Sequence, residues 1–398
     1  MATKKRKKKR SLTRIMLFVA LILVVVALFQ NVAVQLMGGE SNTILQMTAT
    51  DVEISYNFDT RATFYSSGNR TFFFATRDGL QNIASTGDLR WQYSFNMNQP
   101  IIVGNGDIIA VGEPNGQIIY VFNNDGIMYI ANLLNPVLYY TINAVGYLSV
   151  IMRTHVGYEI QVFNPANPED LSFGYRAPIN DSNVFPFSVD VSDCGTYIAV
   201  ALLDVETLTQ SRLLFSYVRS VDSRGIPDGL IASYSFPNEF IFRVRFVDCE
   251  NAIVITDKRI LGYFAGQTTQ GYNWNIPLHN RLDQVYVGSN IFAYVTGDRL
   301  LNDPFAEQPN MLRIYDFDGN LTGTYNLNGR TTHLSISNNT ILVGVGRTFY
   351  AINSQGTELW NYTAIQDVLD IMLLDSTDTI LLAGNTQATI MNLAPVTE

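Results

Sequence analysis

Two arginines one residue apart, Arg243 and Arg245, are the clearest chemical signal in this chain of 398 residues. Side chains alternate faces along an extended strand, so Arg243-Val244-Arg245 aims both guanidiniums the same way. Paired guanidinium donors suit a carboxylate or another planar anion. Read as inward positions of successive strands, Ser188, Arg243, Gln284, His333 and Asp370 make one ring. Tyr140, Asp190, Arg245, Tyr286 and Ser335 make the adjacent ring. Arg243, Arg245, Asp190, Asp370 and His333 are therefore the candidate binding residues at a channel mouth. The alternative is a structural ion-pair network in which Asp190 and Asp283 neutralise the arginines. The two cysteines occupy matching places in consecutive repeats, Ser192-Asp193-Cys194-Gly195 and Val247-Asp248-Cys249-Glu250. Cys194 and Cys249 can form a disulfide if the equivalent turns lie side by side; a free pair is the alternative. His155, His279 and His333 have no carboxylate or cysteine at ligand spacing, so no metal site is expected. There is no G-x-S-x-G, no H-E-x-x-H and no phosphate-binding loop, and no catalytic residue or cofactor is assigned. Facing carboxylates from separate repeats could still cleave a glycan without any linear motif.

Such rings need strands to carry them. Beyond Gly38 and Gly39 the chain runs in short apolar or alternating stretches, such as Thr71–Thr76, 106–111, 117–122, 197–201 and 340–344. They are rich in β-branched and aromatic residues and bounded by turn formers, which marks strands. Asp78-Gly79, Asn105-Gly106, Asn115-Gly116, Asp125-Gly126, Asp318-Gly319 and Asn328-Gly329 supply hairpin turns. Units of four strands begin near Ala62, Gln99, Val137, Pro186, Phe240, Leu282, Thr331 and Val368. A four-stranded period of about 40 to 50 residues is that of propeller blades. The body is thus all-β, an eight-bladed β-propeller, with seven blades as the runner-up. The final unit has room for three strands only, and the stretch 50–57 (TDVEISYN without a unit of its own) is expected to close it. Trp91, Trp274 and Trp360 all fall on the fourth strand of a unit and are assigned to docking between blades.

The run from Phe349 to Trp360 (FYAINSQGTELW) resembles the repeat of quinoprotein-dehydrogenase-like propellers, the PQQ-type repeat. In that repeat an apolar strand reaches an Ala, a polar turn carries a Gly, and a Trp follows four residues later. Ile83 to Trp91 is similar, whereas Gly271 precedes Trp274 by only three residues. The resemblance implies the fold and stops short of the enzymes, which use adjacent cysteines and acids around a calcium ion. With its basic, apolar start the layout also resembles a family of membrane-anchored propellers from Gram-positive bacteria. It is similar, too, to the propeller lipoprotein of the outer-membrane assembly machinery, a scaffold without catalysis.

That start holds eight of the 26 cations within fourteen residues, leaving 18 cations against 35 acids in the rest. A body so acidic is a poor partner for nucleic acid. Residues 1–14 read as a basic cytoplasmic tail attracted to anionic lipid and 15–37 as a transmembrane signal-anchor helix. Residues 38–49 are a linker and 50–398 the extracytoplasmic propeller. Ala33-Val34-Gln35 lacks the small third residue of a cleavage site, so the anchor is read as retained. The loops Asp204 to Arg212, Asp222 to Gly229 and Asp298 to Asn310 are the longest and the expected contact surfaces. The functional expectation is a single-pass cell-membrane protein, N-terminus cytoplasmic, acting as an interaction scaffold for envelope proteins. The alternatives are an exported glycan-active hydrolase or lyase at the channel mouth, and a small-molecule or anion-binding sensor.

Overall fold

Second strands read as unbroken apolar runs because both of their faces are buried. Thr71–Thr76, Leu148–Arg153, Tyr197–Asp204 and Thr340–Val345 each carry five consecutive buried residues. Outermost strands such as Leu89–Ser94 alternate instead, since one face meets solvent. In the computed structural model the described residues are 45–47, 52–56, 62–169, 176–181, 183–206, 210–218, 229–267, 271–300, 310–375 and 378–395. The expected tail 1–14, span 15–37, most of the linker and residues 50, 51 and 57 lie outside them. Among the described residues no helix is long and apolar enough to cross a membrane.

Eight antiparallel sheets follow one another along the chain. Blades one to seven span 63–94, 101–132, 137–179, 184–237, 241–277, 280–327 and 331–363. Blade eight takes three strands from 370–395, and its outer strand comes from the other end of the chain. Val52–Ser55 pairs with Gln387 to Ile390, and Leu45–Met47 with Leu393 to Pro395. The expected unit starts fall within two residues of the first strands, which decides for eight blades over seven.

The core is a ring of eight apolar clusters, one in each blade-to-blade interface. The closing interface packs Phe72, Phe74 and Ile83 of blade one against Met372, Leu374 and Ile390 of blade eight, with Val52 and Ile54 beside them. First strands of adjacent blades pack side by side and run parallel, so all start at one end of the wheel, the mouth. Antiparallel pairing puts the turns between second and third strands at the mouth too. Turns between first and second strands lie at the opposite end.

The tryptophan slots are built by their neighbours. Trp91 of blade one donates its indole N–H to the Asn124 carbonyl of blade two at 2.8 Å and stacks on Phe122 at 5.7 Å. Trp274 of blade five repeats this on blade six, donating to the Phe317 carbonyl at 2.9 Å and lying nearly flat on Phe292. A Cβ at Gly319 would fall 2.7 Å from that indole and one at Gly262 2.2 Å, so the slot needs both glycines. Gly319 also has a positive φ of 81°. Trp360 is buried in the interface between blades seven and eight.

Candidate functional site at the channel mouth

First strands leave one edge facing the axis, and its N–H groups need acceptors. Blade four supplies them to blade five: Ser188 Oγ accepts from Val244 N–H at 3.1 Å and Asp190 Oδ2 from Phe246 N–H at 2.8 Å. Gln284 does the reverse, donating to the Thr331 carbonyl of blade seven at 3.5 Å. Part of the inward polar ring therefore seals strand edges.

Arg245 lies 3.9 Å from Asp190 and reaches two blades away to donate to Thr141 Oγ1 at 3.3 Å and the Ile142 carbonyl at 3.4 Å. Its field acts on Tyr65 of blade one and Tyr286 of blade six, whose hydroxyls burial holds above their usual range. Tyr286 also senses Arg243 and Asp370, so the two expected rings meet around it. Asp190 is buried, and desolvation pushes its carboxyl up to about 6 despite Arg245 and the Phe246 N–H. Its Oδ1 has no hydrogen-bond partner among the described residues. Arg243 is exposed and has no ion pair among the described residues. Asp283, expected opposite these arginines, instead lies 3.9 Å from Arg330.

His333 and Asp370 come together across blades seven and eight. His333 Nδ1 is 3.4 Å from Asp370 Oδ1, and its Nε2 is 2.9 Å from Ser335 Oγ. Burial holds the imidazole down to about 4 and pushes the Asp370 carboxyl up to about 6. As the pH falls the carboxyl takes its proton before the imidazole does, so the contact has no pH window as a full ion pair. The carboxylate, imidazole, hydroxyl order is that of an acyl-transfer triad. An imidazole so weakly basic is poorly matched to deprotonating a serine near neutrality.

One ring member is misplaced by sequence reading. A β-bulge at Leu138 advances the register of blade three, which puts Thr141 on the axis and turns Tyr140 away from it. Tyr140 is buried between blades two and three and donates to the Ile101 carbonyl at 2.7 Å. Bulges recur at the start of the first strands of blades four, five, six and seven. Each releases a residue from the ladder: Phe187, Phe242, Asp283 and Thr332. Bulges re-aim side chains at rims, and here Leu138, Phe187 and Phe242 stay more than two-fifths exposed. Phe187 meets Phe240 edge to face at 4.7 Å and Phe240 meets Phe242 at 5.0 Å, an aromatic ladder across blades four and five. Ile365 and Leu369, 83% and 69% exposed, lie on the same end between blades seven and eight. Two depressions open there. One of about 370 Å³ is lined by Thr63, Phe64, Ile101, Ile102, Leu369 and Asp370, and one of about 260 Å³ by His333, Arg347, Asp367, Leu369 and Asp370. Sequence reading missed this apolar rim, because bulges leave no periodic signature. The expected contact loops lie partly outside the described residues, at 207–209, 222–228 and 301–309.

Eight successive antiparallel sheets, each with its first strand toward the axis, define an eight-bladed β-propeller. The chain belongs to a family of unknown function, DUF5711, which it matches over residues 44–393. Among solved structures, an initiation factor described as eukaryotic aligns with a TM-score of 0.53 at 14% identity, covering 90% of both chains. BamB from Moraxella catarrhalis aligns at 0.48 and 12% identity, over 88% of this chain and all of that one. AztD from Citrobacter koseri aligns at 0.46 and 11% identity, over 77% of this chain and 87% of that one. At such identities the likeness is one of fold. No curated protein matches by sequence.

Proposed function

We propose that the propeller is a protein-interaction scaffold, held outside the cytoplasmic membrane by the apolar segment 15–37, and that its mouth face receives an envelope protein. The observation carrying this reading is the apolar rim. Exposed Phe187 and Phe242 flank half-buried Phe240 in a contiguous aromatic ladder, and such clustered exposure marks contact surfaces where single apolar residues do not. Aromatic anchors of this kind supply most of the binding energy in protein interfaces. Arg245 and Asp190 are occupied in sealing blades three, four and five to one another, so a ligand within the axis is the weaker alternative. The test is crosslinking of the full-length protein in its native membrane, comparing wild type with a Phe187→Asp, Phe242→Asp double variant. Both positions are exposed, so the variant keeps its thermal unfolding midpoint while its specific crosslinks fall at least tenfold. Equal crosslinking would reject the rim as the contact surface.

A second reading, a hydrolase at the same mouth, draws on the Asp370, His333 and Ser335 chain. A fluorophosphonate label on wild type that is lost in Ser335→Ala would favour it over the scaffold.

A further inference from the structure

At the end of the wheel opposite the mouth, the first turns of blades four and five are bonded to one another. Asp193 N–H donates to the Asp248 carbonyl at 3.3 Å. Cys194 and Cys249 occupy the next position in each turn. Both are free and exposed, and they sit side by side across the blade boundary. Cys194 Sγ also lies 3.5 Å from the Cys249 carbonyl oxygen and 3.7 Å from Ser192 Oγ. The turn beneath is braced, because Ser192 Oγ accepts from the N–H groups of Thr196 and Tyr197 and Asn143 Nδ2 donates to the Ser192 carbonyl at 2.9 Å. Two exposed thiols on adjoining turns, one of them already against the backbone of the other cysteine, are placed for exchange rather than for packing.

We propose that Cys194 and Cys249 form a dithiol–disulfide exchange site, with Cys194 as the attacking thiol, Cys249 as the resolving thiol, and a neutral or cationic disulfide as substrate. The roles follow from unequal surroundings. Burial acts against Cys194 ionisation, but hydrogen bonds from Cys249, Thr196 and Ser192 outweigh it and hold that thiol below its usual range. Cys249 is pushed up to about 11, first by its hydrogen bond with Cys194, then by burial and the Cys194 charge. The substrate class follows from charge: Asp193, Asp248 and Glu250 flank the pair and repel an anionic disulfide.

The chemistry balances without a cofactor. Cys194 releases its proton and its thiolate attacks one sulfur of an external disulfide RSSR, forming Cys194–S–S–R and expelling RS⁻. Cys249 then loses its proton and attacks Cys194 Sγ, forming the bridge and expelling the second RS⁻. The two cysteines give up two electrons and two protons, and RSSR becomes two RSH. The bridge staples blade four to blade five.

The test uses reduced full-length protein incubated with cystamine, a cationic disulfide, and read by intact mass. Wild type should lose two hydrogens, retain no adduct and release two cysteamines per chain. Cys249→Ser should hold one cysteamine on Cys194. Cys194→Ser removes the hydrogen bond and charge that hold Cys249 up, so the roles are read in wild type, where substoichiometric iodoacetamide followed by peptide mass should place the first alkylation on Cys194. Glutathione disulfide, which is anionic, should bridge wild type more slowly than cystamine. Wild type carrying two adducts and no bridge would overturn the site, and first alkylation at Cys249 would overturn the assignment of roles. The wild-type measurement needs no variant, so a misfolded substitution does not leave the question open.

Discussion

Asp190 shows how a charged residue in a propeller axis can serve the fold. Its Oδ2 takes the Phe246 N–H at 2.8 Å and its charge faces Arg245, yet burial still raises its carboxyl to about 6 from an ordinary 3.8. The folded chain therefore binds this proton more tightly than the unfolded chain. The stability it contributes is full below about 3.8 and is lost as the pH rises through about 6. His333 works in the opposite sense, because its imidazole is held near 4 against an ordinary 6.5, so its contribution grows as the pH rises through that window. Urea unfolding at pH 4 and pH 6.5 should separate them. Between those values wild type should lose about 2 kcal/mol relative to Asp190→Asn. Relative to His333→Asn it should gain a similar amount, about 3 kcal/mol. Parallel curves for wild type and variants would show that neither group is perturbed. Arg243 and Arg245 were legible as a pair aimed one way, since alternation in a strand guarantees it. Of their partners Asp190 was legible too, and the others were not: Thr141 lies 104 residues from Arg245 and Asp283 turns to Arg330.

At the scale of the element, two local devices set what the blades present. One is the indole slot, in which a tryptophan on an outer strand bonds a turn carbonyl of the next blade. Trp274→Phe keeps the stacking on Phe292 but loses the bond to Phe317, and should cost about 1 kcal/mol. Trp274→Ala also opens a cavity against Gly262 and Gly319 and should cost about 3 to 5 kcal/mol. Thermal or urea unfolding reads both, and equal losses would mean that the indole fills no slot. The other device is the bulge, which takes a first strand's second or fourth residue out of the ladder. Alternation predicts inward positions well until a bulge intervenes; Leu138 shifts every later residue of its strand by one, which is why Tyr140 packs between blades while Thr141 meets Arg245.

For the whole molecule, stability resides in eight equivalent interfaces rather than one centre, so closure counts as much as any single cluster. Val52, Ile54 and Tyr56 cover blade eight beside Phe64 and Phe74, and Tyr56 donates to the Gly384 carbonyl at 2.5 Å. Removing residues 1–57 strips that outer strand and bares the edge 387–395. The truncated protein should self-associate in size-exclusion chromatography with light scattering and unfold less cooperatively; a monodisperse, two-state product would show that closure is dispensable. Bridging Cys194 to Cys249 should act in the other direction, by about 4 kcal/mol at most, because it shortens the unfolded chain across one blade. The amino-acid sequence by itself determined the strands and their four-fold grouping, because burial on both faces writes an apolar run and each turn writes its own Gly, Asn or Asp. Only the tertiary structure decided that the blades number eight, which inward charges are occupied, where bulges expose phenylalanines, and that Cys194 reaches the Cys249 turn of the next blade. Those outcomes depend on distances between residues far apart in the chain, which no local pattern encodes.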